Sequence, residues 1–243
     1  MKAVALGLVA GPLIVAQGLW VRRVTPRLPE AAGPRTGHWG SGPILRVLVV
    51  GDSSAAGVGA SHQDEALAGR LARALAASRA VRVQWQVCAR TGLGAADVLE
   101  LLAGEPPAEF DIAVTAVGVN DVTGARSAAG WLADMSKLAA RLRAHAPDAL
   151  ILASGLPPMH RFPALPQPLR AFLGARARTF DRALARWAST QPRTVHVPLP
   201  EMGDPSLAAS DGFHPGPGAY AIWADALVAA LAALPARGQP STA

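Results

Sequence analysis

The sequence holds a single cysteine, Cys88, among 243 residues. No intramolecular disulfide can form, and no multi-cysteine metal site can be built. Lysine is almost missing. Only Lys2 and Lys137 occur, so arginine carries nearly all the positive charge behind a net +6. Aromatic residues make up 5% of the chain and are not interleaved with the basic ones. A nucleic-acid surface needs a basic stripe with stacking rings, so nucleic acid is not an expected partner. Charged residues are 16% against 51% hydrophobic, which excludes a disordered chain. A chain of this length buries about 70% of its unfolded surface, enough for a core without staples.

The apolar content begins at once. Ala3 to Trp20 is an 18-residue run behind Lys2, marginal for spanning a bilayer. Gly7, Gly11, Pro12 and Gly18 weaken it as a helix. Ile14-Val15-Ala16 is a poor cleavage signal, and Arg22, Arg23 and Arg27 on the far side resist translocation. Residues 1–25 are therefore expected as an anchor or signal-like segment. They would give membrane association through residues 3–20 and a membrane or cell-envelope location. The alternative is an apolar helix packed on the domain. Residues 26–43 are rich in Pro, Gly and polar side chains and read as a linker. The main domain is expected over 44–236, with a flexible tail over 237–243.

Within that domain apolar, β-branched runs alternate with helical spacing. Strands are expected at Ile44–Val50, Val81–Val87, Ile112–Val117, Leu150–Ala153 and Thr194–Val197. Helices are expected at Asp64–Ser78, Ala95–Leu102, Gly130–His145, Leu169–Ser189 and Ala219–Leu234. Leu67, Leu71 and Leu75 share one helical face, as do Trp131, Met135, Leu138 and Leu142. Alternation of this kind predicts a parallel α/β sheet of five strands in a flavodoxin-like, doubly wound order. In such sheets the ligand sits beyond the carboxyl ends of the strands. Chemistry should lie in loops that follow strands.

Four such loops carry suitable residues. The first strand runs into Gly51-Asp52-Ser53-Ser54, which fits a nucleophile or, equally, a helix N-cap. The spacing of glycines matches neither a phosphate-binding loop nor the G-x-S-x-G elbow. The second strand is followed by Arg90-Thr91-Gly92-Leu93-Gly94, whose glycines can offer backbone N–H groups. The third ends in Gly118-Val119-Asn120-Asp121, where the amide can donate to a developing oxyanion or close an Asx-turn. Near the C-terminus, Asp211-Gly212-Phe213-His214-Pro215 places a carboxylate and an imidazole within one turn of each other. A carboxylate that accepts from one ring nitrogen leaves the other free as a base.

In this order and at this spacing, the four segments resemble the SGNH hydrolases, the GDSL esterase/lipase family. The resemblance spans Ile44 to Leu234. It implies the family's three-layer α/β/α sandwich and a serine esterase that needs no metal or cofactor. Ser53 matches the nucleophile, His214 the base and Asp211 the carboxylate that orients it. Ser53 N–H, Gly92 N–H and the Asn120 amide match the oxyanion hole, with Gly94 as a rival to Gly92. The implied substrate is a small carboxylic ester or lipid, short-chain or lysophospholipid-like. The proline-rich loop Gly155–Pro168 follows the fourth strand, so Met159, Phe162 and Leu165 are expected to wall an acyl pocket. Deacetylation of a sugar is the alternative reaction. It wants a polar, aromatic groove, and Tyr220 is the one tyrosine. A non-catalytic binding module on a flavodoxin-like fold is the alternative outside enzymes. Oligomeric state is not legible.

Overall fold

A computed structural model describes residues 2–200 and 204–234, with side chains from Ala10 onward. The tail expected over 237–243 lies outside the described residues. Six strands form one sheet: β1 (Thr36–Trp39), β2 (Ile44–Gly51), β3 (Arg82–Ala89), β4 (Ile112–Ala116), β5 (Leu150–Ser154) and β6 (Thr194–Val197). Their order is β1-β3-β2-β4-β5-β6. The five strands expected from the sequence are parallel neighbours. The sixth, β1, pairs antiparallel with β3 at the sheet edge.

The helices are α1 (Lys2–Val24), α2 (Leu67–Arg79), α3 (Ala95–Gly104), α4 (Val119–Thr123), α5 (Ala128–His145), α6 (Leu169–Ala188) and α7 (Pro217–Ala232). They cover both faces of the sheet. Along β2, Val47 and Val49 face a core built with Leu67, Leu71 and Leu75 of α2 and Tyr220 and Leu227 of α7. Leu48 and Val50 face the opposite core, with Val98 of α3, Trp131 of α5 and Phe180 of α6. Two buried faces explain why Val47–Val50 reads as an unbroken apolar run. Each fully buried leucine, Leu75 for example, contributes about 1.5–3 kcal/mol.

The strands end in register. Gly51 lies opposite both Ala89 and Ala116, and Ser154 lies opposite Val197. Their following loops therefore emerge along one edge. Gly51 cannot carry a side chain, because a Cβ there would sit 1.9 Å from the Ala116 carbonyl oxygen.

The structure bears on two expectations about the N-terminus, the membrane segment and the linker. No helix among the described residues is long and apolar enough to cross a membrane. Helix α1 breaks at Ala10, two residues before Pro12, where proline withdraws a backbone donor. Beyond the break, Ile14, Gln17 and Val21 recur on one face. Ile14 and Val21 are buried in the core that includes α6. The Gln17 side chain donates to the Gln167 carbonyl and accepts from the Leu169 N–H. Residues 26–43, expected as a linker, instead hold β1 and a run tied to the main domain. The Val87 N–H donates to the Arg35 carbonyl, and the Ala32 N–H donates to Ser61.

Candidate active site

The turn after β2 is closed by its own residues. The buried Asp52 accepts from the N–H and hydroxyl of Ser54 at 3.0 and 2.8 Å. Burial pushes the Asp52 carboxyl pKa upward against those hydrogen bonds. Ser53 is left facing out of the turn. Its hydroxyl lies 2.9 Å from His214 Nε2, although 161 residues separate the two in sequence. The other ring nitrogen, Nδ1, lies 2.6 Å from Asp211 Oδ2. A carboxylate only accepts, so the proton is assigned to Nδ1 and Nε2 accepts from the serine. Asp211 Oδ1 also takes the backbone N–H groups of Phe213 and His214. Burial raises the Asp211 pKa, but these hydrogen bonds and the imidazole outweigh it and hold the carboxyl below its ordinary range.

The loop after β3 comes in beside this line. The Arg90 N–H donates to the Gly51 carbonyl. Gly92 has φ +89°, a left-handed conformation that glycine tolerates best. Its N–H meets no acceptor among the described residues. Gly94 differs, because its N–H donates to Asp97 Oδ2 at 2.8 Å. The Asn120 amide, at the start of α4, donates to the Leu93 carbonyl at 2.8 Å. One of its two hydrogens is thereby used and the other remains.

Three anchors in this region have roles that the sequence analysis did not assign. Asp121 accepts from the Ala95 N–H at the start of α3. Burial pushes its carboxyl up to about 6, with help from the charges of Asp134 and Asp52. Arg176 of α6 donates to the carbonyls of Val122, Gly124 and Arg126, fixing the segment behind Asn120. Asp181 of α6 accepts from His196 Nε2 at 2.9 Å and from the Leu156 N–H at 3.0 Å. Each acts through a partner distant in sequence, so nothing local reveals the contact.

A cavity of about 110 Å3 opens from Ser53 and His214. Leu156, Pro157, Phe162, Pro163, Leu207 and Phe213 form much of its wall. Phe162 and Phe213 meet edge to face at 5.1 Å. The expected wall residues Met159 and Leu165 are not part of it. They are 0% and 2% exposed and belong to the core that includes α6. A single 3-10 turn at Met159–Arg161 rotates them inward and leaves Phe162 at the cavity. Among the other histidines, His62 lies against Gly33 and Asp64, and His160 lies beside Gly174 and Arg178. Neither lines the cavity. Cys88 is buried, and burial together with the Glu105 charge pushes its thiol up to about 11.

The model of the GDSL-like Lipase/Acylhydrolase family matches residues 49–222. The chain belongs to this family. A GDSL-like esterase of Mycobacterium tuberculosis is 31% identical to this GDSL hydrolase over 90% of the chain and 76% of the relative. Solved structures give the same fold. A lipase from a goat rumen metagenome superposes with a TM-score of 0.65 at 19% identity, covering 76% of this chain and 97% of the other. A carbohydrate esterase of family 3 from Talaromyces cellulolyticus gives 0.57 at 17%, covering 77% and 96%. The GDSL hydrolase described here is thus an ester-bond hydrolase on the three-layer fold that its sequence resembles.

Proposed function

We propose that the chain is a serine carboxylesterase that forms an acyl-enzyme on Ser53 and prefers short to medium apolar acyl groups. The observation that carries this reading is the line from Asp211 through His214 to Ser53, with contacts of 2.6 and 2.9 Å. His214 Nε2 takes the Ser53 proton as the hydroxyl oxygen attacks the acyl carbonyl. Negative charge then grows on the carbonyl oxygen. The N–H groups of Ser53 and Gly92 and the free Asn120 amide hydrogen are the donors assigned to it. His214 returns the proton to the leaving alcohol as the ester C–O bond breaks. A water molecule, deprotonated by His214, attacks the acyl-enzyme; the acyl–Oγ bond breaks, His214 returns the proton to Ser53 and the acid leaves. Asp211 keeps the proton on Nδ1 and stabilises the imidazolium that forms twice per cycle.

The cavity supports the acyl preference. At about 10–15 Å3 of such room per water-sized atom, 110 Å3 admits a chain of roughly seven to eleven atoms. The wall is apolar apart from the Ser53 turn, His214 and the exposed Arg161 and Asp204. A sugar-acetate substrate would find few polar partners there.

The test is a p-nitrophenyl ester series from acetate to palmitate, run on the full chain beside Ser53→Ala. The expected result is a maximum between butanoate and decanoate and loss of turnover in the variant. Equal turnover in both proteins, or faster deacetylation of sugar acetates than of any acyl ester in the series, overturns the reading.

A further inference from the structure

The loop that presents Gly92 has little holding it from within. Its Leu93 N–H reaches the Arg90 carbonyl at 3.5 Å, a weak contact at best. Its far end is secured by Asp97, Asp121 and Asn120. Its near end is secured from outside the family match, which begins at residue 49. Glu30 Oε1 accepts from the Thr91 N–H at 2.7 Å and from the Thr91 hydroxyl at 2.8 Å. Arg35 donates to the Ala89 carbonyl and pairs with the other Glu30 oxygen.

The same segment is stitched to the loop that follows Ser53. The Ala32 N–H donates to the Ser61 carbonyl, and the Gln63 N–H donates to the Ala32 carbonyl. The buried Gln63 amide bridges the carbonyls of Ala31 and Ala56. Residues 30–35 are therefore a strap across the two loops to which the proposed mechanism assigns the backbone oxyanion donors.

We propose that Glu30 is a positioning residue for the reaction: it holds Thr91 so that the neighbouring Gly92 N–H points to where the oxyanion forms. This rests on the assignment of Ser53 and Gly92 above. Burial pushes the Glu30 carboxyl up, but the Thr91 hydrogen bonds and the Arg35 charge outweigh it and hold it below the ordinary range. At neutral pH it is ionised and accepts only. With the Thr91 N–H fixed, only the two dihedrals of Thr91 separate its peptide plane from the one that carries the Gly92 N–H. Release of Glu30 frees that plane to turn.

The experiment uses the full chain with Glu30→Ala, Glu30→Gln and Ser53→Ala. It measures kcat and KM on p-nitrophenyl butyrate, affinity for an alkyl trifluoromethyl ketone, and thermal midpoint. The ketone forms a tetrahedral adduct and so reads the oxyanion donors directly. A misplaced donor costs on the order of 10-fold or more. Glu30→Ala should lower kcat by about that factor with KM nearly unchanged, and ketone affinity should fall in step. Glu30→Gln keeps an acceptor for Thr91 and should recover most of the loss.

An unchanged kcat in Glu30→Ala, beside a dead Ser53→Ala, overturns the strap alone. So does a kcat loss without loss of ketone affinity, or a loss that tracks the thermal midpoint and is not recovered by Gln. Activity retained by Ser53→Ala overturns the serine assignment and the strap with it.

Discussion

Two histidine–carboxylate pairs in this molecule differ in what lies on their far sides. His214 and Asp211 are 2.6 Å apart and His196 and Asp181 are 2.9 Å apart. In the first pair the second ring nitrogen faces the Ser53 hydroxyl. In the second pair the carboxylate spends its other interaction on the Leu156 N–H, where the cavity wall begins. In the proposed mechanism the first pair moves a proton, whereas the second pair holds a loop. A hydrogen-bonded imidazole becomes a base through what its other nitrogen meets, not through the carboxylate it shares with many structural histidines.

Matched substitutions sharpen the contrast. Asp211→Asn removes the acceptor that sets the His214 tautomer, and kcat should fall by about 10³–10⁴. Steady-state kinetics on a butyrate ester check this; a loss of only a few-fold would remove Asp211 from the assigned role. Asn120→Ala takes away one of the proposed oxyanion donors and should cost about 10²–10³ in kcat with little change in KM. The same assay reads it.

Asp181→Asn, the matched change in the other pair, should alter kcat only a few-fold. Asp181→Ala strands the Leu156 N–H and should cost about 1–3 kcal/mol of stability. It should also shift the preferred acyl length, since Leu156 and Pro157 stand in the cavity wall. Urea denaturation and the ester series measure the two effects.

The smallest effect concerns another contrast between carboxylates. Asp211 is held below the ordinary range by its donors, whereas burial pushes Asp121 up to about 6 from 3.8. A raised carboxyl contributes stability that is present below about pH 4 and lost as pH rises through 6. The loss is at most about 3 kcal/mol, from the two-unit rise. Asp121→Asn should flatten the stability profile between pH 4 and 6 and be no less stable than the parent at pH 7. A parallel profile in denaturation midpoints would refute that origin.

Much of this was written in local sequence. The parallel strands announce themselves because both faces are buried, so Leu45-Arg46-Val47-Leu48-Val49-Val50 needs no partner to be recognised. Ser53, Asn120, Asp211 and His214 each sit in a short motif beside a strand or helix end, where backbone geometry is shared across a fold. Strand β1 was not legible. Thr-Gly-His-Trp has no apolar alternation, is only half-buried, and is extended because β3 lies beside it.

The cavity wall was legible only as a loop. One 3-10 turn decided that Phe162 faces the cavity while Met159 and Leu165 fill the core. Glu30 was invisible for a different reason. Its partner Thr91 stands 61 residues away, and nothing in the glycine loop around Thr91 points back to Glu30.

The lone cysteine gives the molecule an intrinsic reporter. Cys88 precedes Ala89, whose carbonyl Arg35 holds, and its thiol is buried and protonated at neutral pH. Its side chain packs in the core with Ala95 and Val98 of α3, so an alkylating dye gains access when α3 and the end of β3 part. The rate of labelling in native buffer is then an opening clock for that corner of the sheet, read without adding any foreign group to the chain.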